Sequence, residues 1–557
     1  MVTAASVGAR GGQARPTDGE RLLVAALLAL LCVILPSCSG GGGASPPPAQ
    51  PQAPPVFTPI SAAEVTAIAT RAASVANIPM VISVTDRSGN ILGVFRKAGA
   101  PATAIGNFSQ VVDTNELAVS LARTASFFSH NEAPLSSRTV RFISGIHFPP
   151  GVAFVGNAAL YGIENTNRGC VLSTNYAPGK VLPRYQNIAG TGPGLGITTG
   201  KADVFDSVPN AVNPGGVPIY RGTTMMGGVG VVAGASGDQY NVAEFAAAVG
   251  AGGLPPGIGG LTAIPNPPPL PIPQLVVFVD GVALPFVNNL ALPAGFAPDP
   301  APVLMAVVPA TNSPGPTPDG DLVLPANGPL GGLTAAEVRL ILDNAIAVAV
   351  RTRGIIRLPL GTRAKFVIAV ADLDGTIIGL HRQPDATIFS VDVAVSKARN
   401  MIYFNLPTVS TLDMPGVPPG TAVTNRTISF GGQPLYPPGL DPAPFPGGPF
   451  FQLYLNDTAN PCSQGFQPAG PNQSGIVFFP GSVGLYRNGV LVGGLGVSGD
   501  GVEQDDYVTA CAVDPSDTQC PITGQTSFMP PAAMRVDQLF VQGTRLPFMK
   551  FPRNPTD

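Results

Sequence analysis

Apolar and polar positions follow one order along the chain and then repeat it. Near the start, "ISAAEV" (Ile60–Val65) sets Ser61 three residues before Glu64, and "LTAAEV" (Leu333–Val338) sets Thr334 three residues before Glu337. Both are capping boxes opening an Ala/Val/Ile-rich stretch of helical period. Each leads to a pair of apolar runs joined by a short polar turn: "VISVTDRSGNILGVFR" (Val81–Arg96) and "VIAVADLDGTIIGLHR" (Val367–Arg382). These read as hairpins, with Asp86 or Asp372 accepting backbone hydrogen bonds at the turn and Gly89 or Gly375 taking positive φ. A helix around Arg123 or Arg399 follows, in "SLARTASFF" (Ser120–Phe128) and "SKARNMIYF" (Ser396–Phe404). Further matches are "SRTVRFISGIHFPPG" with "NRTISFGGQPLYPPG", "PGGVPIYRGTTMMGGVGV" with "PGSVGLYRNGVLVGGLGV", and "FVDGVALPF" with "FVQGTRLPF". The shared order predicts a duplicated module, residues 60–293 and 333–557, of α+β class: antiparallel sheet built from hairpins, with packed helices. The Pro/Gly-rich residues 294–332 read as a linker.

The N-terminus follows a different pattern. Arg10, Arg15 and Arg21 precede the apolar run from Leu22 to Pro36, which ends in Leu35-Pro36-Ser37-Cys38. The run is short for a membrane span. The arrangement resembles a bacterial lipoprotein signal. That resemblance implies a signal over residues 1–38, a lipid on the Cys38 thiol, and export to the outer membrane, facing the periplasm or the cell surface. An ordinary secretory signal and a single-span anchor are the alternatives. Residues 39–59, rich in Gly and Pro, then form a tether.

Composition narrows the function classes. The 557 residues include 68 Gly and 63 Pro, no Trp, and only 11% charged side chains, with a net charge of −3. Such a chain is neither a coiled coil, nor a polar disordered segment, nor a basic nucleic-acid binder. In an exported protein disulfides are permitted. Cys511 and Cys520 would close a short loop, or Cys462 would pair with either, leaving Cys170 alone.

The second module resembles the GlcG/HbpS family of haem-binding or haem-degrading domains. The matching pieces are "VIAVADLDGTIIGLHR", "DATIFSVDVAVSKARNMIYF" and "GVLVGGLGVSGDGVEQDD"; the first module looks like a diverged copy with Leu121 where Lys397 stands. The resemblance implies a profilin-like layout and haem or a related tetrapyrrole as cofactor. It also implies slow haem breakdown as an activity open to the fold, and a homo-oligomer or a pseudo-dimer of the two modules. Haem iron is held by His, Cys, Met or Tyr, and paired cations hold its propionates. The candidate ligand residues are therefore His147 and His381 for iron, with Arg96, Arg123, Arg382, Lys397 and Arg399 for the carboxylates.

Other motifs carry less. The "GGVGV" and "GGLGV" glycines are followed by no GK[ST], and Ser498 does not stand in GxSxG. Asp500, Glu503, Asp505 and Asp506 gather where a helix begins, without calcium-loop spacing. The two readings left are an exported tetrapyrrole-binding lipoprotein and a non-catalytic surface scaffold or assembly protein that keeps the fold without the ligand.

Overall fold

Two capped helices and two pairs of hairpins recur in space as they do in sequence. The computed structural model describes residues 57–144, 160–170, 186–200, 211–234, 238–252, 276–279, 281–288, 291–437, 447–517, 519–522 and 526–556. The signal, Cys38, His147 and all of the tether but residues 57–59 lie outside these residues. Among the described residues no helix is long and apolar enough to cross a membrane.

The first module comprises α1 (Ala62–Ser74), β1 (Val81–Asp86), β2 (Ile91–Arg96), the small hairpin β3 (Thr103–Ile105) and β4 (Val111–Asp113), α2 (Thr114–Phe128) and α3 (Ser137–Ser144). It continues with β5 (Gly216–Arg221), β6 (Thr224–Val232), α4 (Asp238–Gly250), β7 (Val276–Val279) and β8 (Val282–Pro285). After β9 (Met305–Val308) and β10 (Gly320–Val323), the second module comprises α5 (Ala335–Ala349), β11 (Phe366–Ala371), β12 (Ile377–Arg382), α6 (Phe389–Asn405), α7 (Asn425–Gly431) and α8 (Phe451–Ala459). It ends with β13 (Ser482–Arg487), β14 (Val490–Gly499), α9 (Val502–Val513), β15 (Phe540–Val541) and β16 (Thr544–Arg545).

Both capping boxes form. Glu64 Oε2 accepts the Ser61 N–H at 2.8 Å, and Glu337 Oε2 accepts the Thr334 N–H at 2.8 Å. Each cap glutamate also takes the arginine of the later hairpin turn, Arg221 at 3.0 Å and Arg487 at 2.5 Å. The repeated hairpin arginine thus ties a turn to a helix start, where a carboxylate is already favoured by the helix dipole.

The two five-stranded sheets have one topology, β5-β6-β1-β2-β9 and β13-β14-β11-β12-β10. Their registers agree to the residue. Val81 faces Arg96 as Val367 faces Arg382, and both hairpins bulge at the same step, Val84/Thr85 and Val370/Ala371. Helices α1 and α4 pack Val65, Ile68, Val242 and Ala246 against Ile82, Val84, Val229 and Val231, while α2 covers Val81, Val94 and Val232 from the other face. Helices α5 and α9 sit likewise on one face of the second sheet, with α6 on the other. Every residue of β1 and β11 is buried because both faces of the sheet are covered.

Two expectations are corrected. The segment 294–332 is not only a linker, since β9 pairs with β2 and β10 with β12 as an edge of each sheet. Pro302 and Pro309 bracket β9, and an edge strand tolerates proline because it bonds on one side only. Cys462 does not join the late cysteines: it is bonded to Cys170 of the first module, while Cys511 bonds Cys520. Partners 292 residues apart in sequence leave no local signature. The disulfide joins two modules that also share a core, where Phe128 stacks on Phe389 at 4.1 Å and the Ile388 N–H donates to the Phe127 carbonyl at 3.0 Å.

The repeated glycines have a packing cause. A Cβ on Gly230 would overlap the Ala118 carbonyl oxygen of α2, and one on Gly496 would overlap the Ala394 carbonyl oxygen of α6. Gly228 and Gly494 are held against Ala122 and Ala398 in the same way. Helix backbone therefore rests directly on strand backbone. Gly496→Ala must lift α6 off β14, and its expected cost is about 3 kcal/mol, as for overpacked cores. Urea unfolding of the variant measures it.

Candidate functional site

The cations picked out in the sequence turn inward. Arg96 Nη2 donates to the Ala100 carbonyl at 2.6 Å and to Pro101 at 3.1 Å, and its Nη1 donates to Asn115 Oδ1 at 2.8 Å. Arg382, at the matching position, donates to the Ala386 carbonyl and, at 2.9 Å, to that of Pro318. Arg123 Nε donates to the Gly89 carbonyl at 3.0 Å, and Arg399 Nε to the Gly375 carbonyl at 3.0 Å. Arg123, Arg382 and Arg399 are at most 2% exposed. These guanidiniums satisfy turn carbonyls that the hairpins leave unpaired.

Lys397 is wholly buried. Its Nζ donates to the Val497 carbonyl at 2.7 Å and to Asp505 Oδ2 at 2.9 Å, and lies 5.0 Å from the centre of the Phe479 ring. Burial pushes the Asp505 carboxyl up to about 7, with Lys397 pulling the other way. Asp506 accepts from Arg426, from the Gly481 N–H at 2.9 Å and from the Lys550 N–H at 3.0 Å. Asp500, Asp505 and Asp506 are therefore interior groups, and only Glu503 of the acidic run stays partly exposed. The first module keeps the neighbouring pair as Arg138–Glu244 at 2.7 Å, but sets Leu121 and Ala243 together around a cavity of about 20 Å³ where the lysine pair would stand.

His381 also has a structural partner. Its Nδ1 lies 2.7 Å from Asp321 Oδ1 across the β10–β12 pair. Partial burial works against ionisation of Asp321, and the His381 and Arg339 contacts outweigh it, holding the carboxyl below its ordinary value.

One charged centre was not foreseen. His130, wholly buried after α2, accepts the Ala133 and Glu132 N–H groups on Nδ1 at 3.2 and 3.3 Å. Its ring, Glu132 and Asp385 bring ligand atoms within 4.8 Å of one another. Two guanidiniums already serve the carboxylates: Arg87 meets Asp385 at 2.6 Å, and Arg357 meets Asp385 at 2.7 Å while also pairing with Glu132 and Asp500. Burial opposes the charge on Asp385, yet Arg87 and Arg357 hold its carboxyl far below the usual range. A cation would have to displace both arginines, so the cluster is an ion-pair lock between the modules. Its signal lay in positions where the repeats differ. Asp385 (φ 64°) stands where the first module has Gly99 (φ 75°), and Arg87 stands where the second has Leu373.

Open space lies elsewhere. A cleft of about 210 Å³ adjoins the Arg399 turn and is walled by Gln464, Gln467, Asn472 and Gln473. A larger one, about 470 Å³, opens between the end of α9 and the C-terminal residues, with Arg535, Arg545, Phe548 and Met549 in its wall.

Residues 342–514 match the family model described as haem degrading protein HbpS-like. The corrinoid adenosyltransferase PduO of Salmonella typhimurium is 26% identical over 147 residues, which cover 26% of this chain and 31% of PduO. The chain thus spans less than a third of that relative's length. Among solved structures, a PduOC:heme complex is 22% identical, with TM-score 0.21, covering 32% of this chain and 91% of that one. Protein ORFY of Klebsiella pneumoniae is 19% identical, with TM-score 0.21, covering 33% and 88%.

Two outcomes follow from the buried charges. Lys397→Leu strands the Asp505 carboxylate in the core and is expected to cost about 3–5 kcal/mol. Lys397→Leu/Asp505→Ala, which copies the first module, recovers most of that loss in urea unfolding. Asp392 of α6 is also buried, and burial pushes its carboxyl up to about 7 against the pull of Arg399. The folded chain then holds a proton that the unfolded chain releases near pH ~4, so this group's contribution to stability falls as pH rises from ~4 to ~7. Asp392→Asn removes that slope: relative to the parent, the variant gains thermal stability between pH 5 and pH 8, read from melting at both pH values.

Proposed function

We propose that this chain is an exported lipoprotein, anchored through Cys38, that binds haem or a related tetrapyrrole with its second module. The observation that carries the reading is the match of residues 342–514 to the haem degrading HbpS-like family. The second module is also the one that retains Lys397, Arg399 and the Lys397–Asp505 pair in one packed unit. Low charge and a net charge of −3 suit a ligand buried against apolar surface better than one gathered by long-range attraction.

One observation favours the second reading, a scaffold without ligand. The cations that the resemblance nominates are bonded to the chain's own carbonyls and carboxylates. A haem titration of residues 39–557, followed at the Soret band, decides between the two. A saturable shift is expected at about one haem per chain, unchanged in His381→Ala because His381 serves Asp321. Absence of a saturable shift sinks the tetrapyrrole reading and leaves the scaffold.

A further inference from the structure

If the module's own cations are locked inward, a carboxylate-bearing ligand needs others that are accessible. We propose that the C-terminal cleft is the ligand site, and that it takes a flat amphipathic molecule carrying carboxylates; the proposal rests on the tetrapyrrole reading and gives it a location. At about 470 Å³ the cleft falls within the range of small-molecule sites, ~300–1,000 Å³. The 20 Å³ cavity beside Leu121 admits no such molecule, and the 210 Å³ cleft, which carries Leu373, Ile402, Tyr403 and Leu406 besides its amides, lies below that range of volumes.

The chemistry of the lining is divided. Phe551 supplies aromatic surface over a floor of buried Leu546 and Phe548, and Met529 and Met549 supply thioethers, a ligand class for haem iron. On one side, Arg535 and Arg545 share a single carboxylate: Arg535 meets Asp537 at 3.1 Å, and Arg545 lies 4.0 Å from the same group. Two guanidiniums against one carboxylate leave this side with a net positive charge. Arg545 is 60% exposed, so a ligand can reach its guanidinium, whose Nε already donates to the Asp537 carbonyl at 2.6 Å. Arg535 lies 5.2 Å from the centre of the Phe548 ring, so cation and apolar surface adjoin. Asp514 and Asp517 line the same cleft, and their carboxylates accept from Ser516 and Gln519 of their own loop.

The walls are fixed rather than loose. The Cys511–Cys520 bond closes the loop that carries Asp514 and Asp517. The returning chain is tied to the module by the Phe528 N–H to the Val513 carbonyl at 2.8 Å, the Tyr486 N–H to the Phe528 carbonyl at 2.8 Å, and the Ala422 N–H to the Met534 carbonyl at 2.8 Å. All of the lining except Ala510 and Asp514 falls beyond residue 514, where the family match ends. Most of the lining thus lies outside the matched span, in a segment whose Phe540–Phe548 stretch has a counterpart at Phe278–Phe286 of the first module.

Haem and iron-free protoporphyrin IX, titrated separately into residues 39–557, test the proposal. Arg545→Glu and Arg535→Ala are expected to weaken both probes tenfold or more. Met529→Leu/Met549→Leu is expected to move the Soret band of bound haem while leaving protoporphyrin affinity within twofold. Unchanged melting temperatures establish that the variants fold, and Arg545, being exposed, is the least disruptive site. Parent-like binding of both probes by Arg545→Glu and Arg535→Ala overturns the cleft while the tetrapyrrole reading stands. If the unaltered chain binds neither probe, that underlying reading fails as well.

Discussion

The seat of one helix on a glycine-bearing strand governs what the rest of each module can do. With Gly228 and Gly230 under α2, and Gly494 and Gly496 under α6, helix and strand approach until backbone meets backbone. No side chain separates them. The helix position is thereby set, and so are the directions in which its long side chains leave. Arg123 and Arg399 run to the same carbonyl of the β1–β2 or β11–β12 turn, and each reaches a second partner beyond it, the Gln186 carbonyl at 2.9 Å or Ser474 Oγ at 3.2 Å. Taking such a cation out of water is costly unless its hydrogen bonds are replaced, and the turn carbonyls replace them. Close packing and inward cations are one arrangement seen from two sides.

Within that common frame the copies diverge where they meet different surroundings. The Arg138–Glu244 and Arg426–Asp506 pairs are retained, yet Leu121 and Ala243 stand in place of Lys397 and Asp505. A lysine–aspartate pair and an apolar pair are near-equivalent fillings of one interior space, because desolvation offsets most of what the ion pair gains. At the contact between modules the divergence has more effect. Asp385 replaces a glycine and draws Arg87 from the other copy, while Arg357 spans Asp385, Glu132 and Asp500. Two identical copies would each offer the same groups; the charge lock requires that they differ. With the Cys170–Cys462 bond and the shared Phe128–Phe389 stack, the lock binds the modules through covalent, apolar and ionic contacts together.

What the chain reveals in advance is what short-range physics decides. Capping boxes at Ser61 and Thr334, the turns at Gly89 and Gly375, and helices around Arg123 and Arg399 depend on residues a few positions apart, and all were legible. The α+β class followed from them. Strands β9 and β10 were not legible, because four residues flanked by proline acquire strand character only from the neighbour they lean on. The candidate site was legible as residue types but not as roles. An arginine's residue type does not name its partner, and only the fold brings the carbonyls around Arg382 and Arg399 into view. His130 has no counterpart in the other copy, and it stands where the copies meet.

A module so closely packed has little interior left to lend to a ligand. The voids it encloses are small, and its charges are matched by groups of its own. On the reading proposed above, a ligand meets instead surface that lies beyond the family match. Here the chain continues past α9, is stapled by Cys511–Cys520, and returns over the second module with arginines, thioethers and aromatic rings in its lining. The returning segment is itself part of the packed interior, since Val536, Val541, Leu546 and Phe548 lie in the second module's core. Only its exposed members, Arg545 among them, can vary without disturbing the fold.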